Sequence, residues 1–341
     1  MNEPTDHRSG SGTGSASKVL GVGLAVLGGF GGALQSRING TLAGELDSGF
    51  AAAVLSFGSG LMVLLLVVLF SRLARRALGG VAARLRDGRL RWWECLGGAG
   101  GGFYVATQGL TVGALGVAAF TVAVVAGQSV SSLLVDRLGL APGGVRLITL
   151  ARALGPVLTV VAVTVAMSGR LGSPALLGLA VLPLLAGALQ SVQQAVNGRV
   201  RAAVADSPVG GEGGAVAGVL AATFLNFVVG TLALLVAFTI SVAVQGWPAG
   251  TLPPEPWLYT GGLIGVAFIA VQAAVVHRIG VLLLGLGMIA GQVVGALVLD
   301  VVAPDAAPPG LATYVGAALT LVAVAVPALE GLARRRPATL G

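Results

Sequence analysis

Residues 31–44 read GGALQSRINGTLAG and continue the apolar run VLGVGLAVLGGF (19–30) without a break. They look like the end of a membrane-crossing helix. Yet they carry Gln35, Arg37 and Asn39, and amide and guanidinium groups cost free energy in hydrocarbon. The stretch decides the fold because it returns. QSRINGTL (35–42) is matched by QQAVNGRV (193–200), which sets Asn39 on Asn197 and Gln35 on Gln193.

The chain around this motif has 341 residues, 55% hydrophobic and only 10% charged. That is too little charge to cover a soluble protein of this length. The single cysteine, Cys95, excludes an internal disulfide and a cysteine-cluster metal site. The two histidines, His7 and His277, leave little for zinc. There is no HExxH, P-loop or GxSxG pattern, so neither a cofactor nor enzymatic chemistry is expected. Residues 1–18 read as a disordered cytoplasmic tail and 331–341 as a basic one. The first apolar run reads as a permanent span, because it takes part in the repeat and no small-residue cleavage site follows.

Apolar segments fall at 19–42, 50–71, 93–112, 116–135, 149–168, 174–197, 216–243, 257–276, 280–299 and 311–329. Crossing a bilayer takes about 20 apolar residues, and only helices satisfy their own backbone there. The expected fold is therefore an all-α integral membrane protein with ten transmembrane helices. With both termini in the cytoplasm, 18 of the 20 basic residues fall inside, leaving Arg37 and Arg170 outside. That bias also explains the net charge of +7. The basic loop 72–91 then serves topology and anionic lipid, and no nucleic-acid partner is expected.

The repeat extends well beyond the opening motif. A shift of 164 sets WWECLGGAGG (92–101) on PWLYTGGLIG (256–265), Gln108 on Gln272 and Gly116 on Gly280. The same shift sets Ala126-Gly127-Gln128 on Ala290-Gly291-Gln292 and Asp136 on Asp300. SFGSG (56–60) matches NFVVG (226–230). The chain thus reads as two five-helix repeats, 19–168 and 174–330. Five is odd, so the second copy is inverted, an architecture of secondary transporters. These motifs in two copies resemble the YdcZ-type family of the drug/metabolite transporter superfamily. Many of its members carry one copy, and this chain resembles a fused form. Val200 in place of Leu42 and Asn226 in place of Ser56 depart from the first copy. The resemblance implies an inner-membrane carrier and names no ligand.

Depth sorts the polar residues. Gln35 lies about 24 Å along its helix, in the outer half, whereas Gln128 and Gln292 lie about 18 Å along theirs, close to the midplane. Substrate sites of transporters lie near that plane. The candidate substrate-binding residues are therefore Gln128 and Gln292 at the centre, Gln35, Asn39 and Gln108 outside, and Gln193, Asn197 and Gln272 inside. A second reading stands beside each. Gln128 and Gln292 sit among small residues (Ala123, Gly127, Ser131; Gly287, Gly291, Gly295) and can serve as interhelical glue. Those two stripes are expected to pack the fourth and ninth helices together. Asn39-Gly40 and Asn197-Gly198 can be helix stops. Asp136 and Asp300 read as helix ends or caps rather than proton carriers, and Glu94 as interfacial. With no carboxylate plainly at mid-membrane, the site suits a neutral or zwitterionic molecule.

The expected function is a secondary transporter of a small polar metabolite or drug-like compound, working by alternating access with export favoured. The alternative is a non-transport receptor or assembly subunit whose paired amides are structural. A small-molecule substrate and membrane lipid are the expected partners, and a homodimer is admitted. Arginine outnumbers lysine nineteen to one, which points to a GC-rich bacterial genome and an inner membrane.

Overall fold

The computed structural model describes residues 11–140, 142, 144, 145, 147, 148, 150–168, 173–207, 213–302 and 309–333. Within these it leaves out the side chains of 11–18, 151, 152, 272–274, 276–283 and 326–333. The expected tails at 1–10 and 334–341, Arg170 and the side chain of Gln272 lie outside the described residues.

Among the described residues all regular structure is helical. The order is α1 (Ser11–Glu45), α2 (Gly49–Phe70), α3 (Arg72–Arg86), α4 (Gly97–Leu115) and α5 (Val117–Arg137). Then come α6 (Leu150–Met167), α7 (Pro174–Ala205), α8 (Gly214–Gln245), α9 (Gly261–Val302) and α10 (Leu311–Ala333). Short 3-10 turns at Trp92–Leu96 and Pro256–Tyr259 lead into α4 and α9, at the two Trp-bearing positions matched by the repeat. Among the described residues six helices are long and apolar enough to cross a membrane, and Ala153–Met167, Gly261–Val271 and Leu311–Ala325 are shorter apolar helices.

Three expectations about local structure change. The loop 72–91 holds a helix, α3, started by the Ser71 hydroxyl, which accepts from the Ala74 N–H at 3.2 Å. Its Ala74, Ala77, Gly80 and Val81 are buried against α7 and α8, while most of its arginines stay exposed. The Asn-Gly pairs do not stop their helices: α1 runs on to Glu45 and α7 to Ala205. At Gly40 the missing side chain instead makes room for Val112 of α4. Helix α1 also begins at Ser11, inside the stretch expected as a tail. A formed helix extends by a turn or two at small free-energy cost.

α9 is not one straight rod. A methyl group on Gly28 would lie 3.2 Å from Met288 and 3.4 Å from Val271. Those residues would be about 25 Å apart along a straight helix. Gly261 and Gly265 face Asn39 and Gln35, so the start of α9 runs antiparallel to α1. Gly287, Gly291 and Gly295 face Ala25, Val26 and Phe30, so its end runs parallel to α1. The apolar segments 257–276 and 280–299 thus lie side by side along α1.

The same contacts recur in the other copy. Gly97 and Gly101 face Asn197 and Gln193, so α4 runs antiparallel to α7. Gly127 faces the Leu184 carbonyl of α7, as Gly291 faces the Val26 carbonyl of α1. Gly187 faces the Val124 carbonyl, as Gly29 faces that of Met288. Each of these pairs maps onto its partner by the shifts of the repeat. α2 and α8 meet between the copies: the Phe57 and Phe227 rings lie 4.9 Å apart, with Gly230 under Phe57 and Gly60 under Phe227. The Asn39 region of α1 meets α4 at Gln108, whereas Asn197 of α7 meets it at Gly97. α1 and α7 therefore point in opposite directions. The small-residue stripes of α5 and α9 do not pack on each other as expected. Each packs on the first helix of the opposite copy, α7 or α1. A helical period shows which face is small and cannot show which neighbour fills it.

Candidate functional site

At one end of α1 the amides form a chain. Asn39 Nδ2 donates to Gln108 Oε1 at 2.6 Å, and Gln108 Nε2 donates to Ser36 Oγ at 2.8 Å. Ser36 Oγ donates to the Gly32 carbonyl at 3.0 Å. Ser36, Asn39 and Gln108 have no solvent-exposed surface. Gln35 Nε2 donates to the Gly261 carbonyl at 2.9 Å, tying α1 to the start of α9. Toward the middle of α4, Gln292 Nε2 donates to the buried Tyr104 hydroxyl at 3.2 Å. Ser36 and Gln108 lie within reach of that same hydroxyl. So Gln292, an expected central residue, is joined to the expected outer set. The link is Tyr104, which the sequence reading passed over. Its signal was available: Tyr104 stands four residues before Gln108, on the same helix face.

The matching residues of the second copy are arranged otherwise. Gln193 Nε2 and Asn197 Nδ2 both donate to Asn226 Oδ1 of α8, at 2.7 and 3.0 Å. Gln193 and Asn197 are half-buried, and Gln194 beside them is exposed. Gln128 is half-buried, and its carbonyl accepts from Ser191 Oγ at 2.8 Å. Ser131 Oγ donates to the Ala188 carbonyl at 2.9 Å, a second stitch between α5 and α7. Among the described residues no hydrogen bond joins Gln128 to Gln292.

The charged residues hold helix ends. Asp300 is buried, and its two carboxylate oxygens accept from the N–H groups of Val117 and Ala118 at 2.9 and 2.8 Å. It caps α5 from α9, where unpaired N–H groups and the helix dipole favour an anion. Asp136, its repeat partner, also has a partner. Glu94 is buried, at 3% exposure. It accepts from the Arg91 N–H at 2.8 Å and from Arg199 Nη1 at 2.6 Å. Arg199 also donates to the carbonyls of Gly139 and Leu140, just beyond α5. Arg84 likewise donates to the Ala203 and Asp206 carbonyls at the end of α7. It also pairs with Asp87, whose carboxyl the Arg89 N–H and then Arg84 hold below the usual carboxylate range. The basic segments 72–91, 137–140 and 199–206 therefore gather at one end of the bundle. Leu42, Leu46 and Leu258 cluster at the other.

Two clefts lie apart from the amides. One of about 370 Å³ at the basic end is lined by Arg84, Arg89, Glu94 and Arg199. Its two paired arginines already serve carbonyls and carboxylates. The other, of about 220 Å³, lies among Ser129, Ser132, Pro156, Ile289 and Ala323.

Long apolar helices in two matching copies that cross one another define a multi-pass membrane protein. The chain belongs to the family described as "Putative inner membrane exporter, YdcZ", which matches residues 20–165 and again 178–326. The double match makes it a two-copy member. A crystal structure of a protein shares the fold at a TM-score of 0.52 and 21% identity, over 96% of this chain and 99% of that one. No curated protein matches the chain.

Proposed function

We propose that this protein is a secondary transporter exporting a small polar metabolite or drug-like compound across a bacterial inner membrane by alternating access. The chain crosses ten times as two inverted copies, with both termini in the cytoplasm and the basic end inside. One observation carries the reading. The helix contacts of the two copies match pair for pair, yet their amide sets differ in exposure: Asn39 is fully buried and Asn197 half-buried. Two matching halves in unlike states are what alternating access requires, because exchange of the states moves the opening across the membrane. Gln128, Gln292 and Tyr104 are the proposed ligand contacts. The Asn39 and Asn197 sets are the outer and inner gates.

The orientation has a direct test. With Cys95 replaced by serine, single cysteines at Arg89 and Ala249, both exposed, report the two ends. An impermeant maleimide added to intact cells is expected to label position 249 and spare position 89. The reverse result would overturn the topology.

The central site is tested by flux in proteoliposomes, using a compound panel. Losing a hydrogen bond to a neutral ligand costs about 1 kcal/mol, or roughly fivefold in affinity. The Gln128→Leu, Gln292→Leu double variant is expected to weaken binding about 25-fold from either side. Flux at the parent level for every transported compound would assign both residues to packing.

A further inference from the structure

Ser56 and Asn226 occupy the same place in the two copies and differ in chemistry. Asn226 reaches both amides of α7 with one oxygen. Ser56 is also buried, at 1% exposure, but its hydroxyl makes no hydrogen bond, and neither does Asn39 Oδ1. Both of those atoms flank Gly261, at 2.7 and 2.5 Å from where a methyl group would stand. The serine side chain is too short to do for Asn39 what Asn226 does for Asn197. Asn39 donates across to Gln108 on α4 instead, and that bond draws the Asn39 ends of α1 and α4 together. In the second copy, α7 is bound to its own neighbour α8, and its amides remain half-buried.

We propose that the Ser56/Asn226 difference sets the resting state of the carrier: outer end closed, inner end open. Ser56 and Asn226 act here as positioning residues, each through the amides of the neighbouring first helix. The inference rests on the alternating-access reading. It adds that two otherwise exchangeable halves are biased by one side chain in each. An equilibrium of this kind moves only by interactions that differ between its states. The bonds held by Asn226, and the bond left unmade by Ser56, are such interactions.

Accessibility measures the bias without any substrate. In a Cys95→Ser background, Val112→Cys reports the outer end, because Val112 is 3% exposed and packs beside Gly40 of α1. Gln194→Cys reports the inner end, where residue 194 is exposed. The reagent is an impermeant maleimide applied to each face of oriented vesicles. In the parent, position 194 labels fast and position 112 slowly. Asn226→Ser is expected to speed labelling at 112 about tenfold and slow it at 194, as two hydrogen bonds to Asn226 are lost. Ser56→Asn is expected to shift both rates the same way, by offering Asn39 a partner on α2. The double exchange combines the shifts.

Gly109→Ala serves as a reference. Its methyl group would lie 2.8 Å from the Gly49 Cα and 3.2 Å from Ala43, so it wedges α4 from α1 and α2 whatever the amides do. If that wedge shifts the two reporters reciprocally and the exchanges leave parent rates, the inference is wrong and the transport reading stands. If no variant ever moves the two reporters in opposite directions, the alternating-access reading itself falls.

Discussion

Replacing Gly127 or Gly291 by leucine is expected to leave almost no folded protein. A first side-chain carbon on Gly127 would fall on the Leu184 carbonyl, and one on Gly291 on that of Val26. The obstacle is backbone in both cases, so no rotamer change relieves it. The flanking contacts are as close: Gly187 lies on the Val124 carbonyl and Gly29 on that of Met288. These four glycines form two matching crossings, α5 on α7 and the end of α9 on α1. Overpacking in a dense interior costs about 1–3 kcal/mol where side chains can shift, and more where backbone must. Stabilities of folded domains are only about 5–15 kcal/mol. Monodisperse yield in detergent is the measurement. The same substitution at Gly58 or Gly178, where nothing lies within 4 Å, is the control and is expected to be harmless. Normal yield for both Gly127→Leu and Gly291→Leu would contradict the crossings.

Asp300→Ala is expected to be the most damaging loss of a charged side chain. It removes a buried carboxylate that accepts from two N–H groups at the start of α5. A buried donor left without a partner costs about 1–3 kcal/mol, and two are stranded here. The helix that begins there is set off by Gly116 at φ 78, so no continuous turn from α4 can supply replacement carbonyls. Asp300→Asn keeps one acceptor oxygen but turns a donor toward the second N–H, and its loss is expected to be smaller. Thermal unfolding of the purified protein would order the variants as parent, asparagine, alanine. Alanine melting with the parent would mean that the cap contributes nothing.

Much of this architecture was legible in the residues because the repeat carries it. The doubled Gly-Gly and Ala-Gly positions assigned equivalent places to glycines that the structure then puts in equivalent contacts, Gly97 with Gly261 and Gly127 with Gly291. The split of residues 257–299 into two apolar segments agrees with the reversal of α9 along α1. Partners were less legible. The small faces of α5 and α9 were recognised, but their occupants come from the opposite copy, about 60 residues away in one case and about 265 in the other. The partner of Glu94 was not read either, because Arg199 lies 105 residues on. Helix α3 was missed because its five arginines mark it as a loop between spans, although Leu73, Ala77, Gly80 and Val81 recur at helical spacing on one face. In the candidate site, the amides were identified one by one from depth. The Tyr104 hydroxyl that links the centre to the outer set needed three-dimensional proximity to find.

The central claim is that the two ends of the bundle open in alternation, and paired distances test it most directly. Spin labels at Gly44 and Gly113, where side chains meet open space, span the Asn39 end between α1 and α4. Labels at exposed Arg201 and at Gly285, also open, span the basic end between α7 and α9. The account predicts a short outer distance paired with a long inner one in the parent protein. In the Ser56→Asn, Asn226→Ser exchange the long population is expected to move to the outer pair while the inner pair shortens. One fixed distance at each end, in the parent, the exchange and the Gly109→Ala wedge alike, would contradict alternating access.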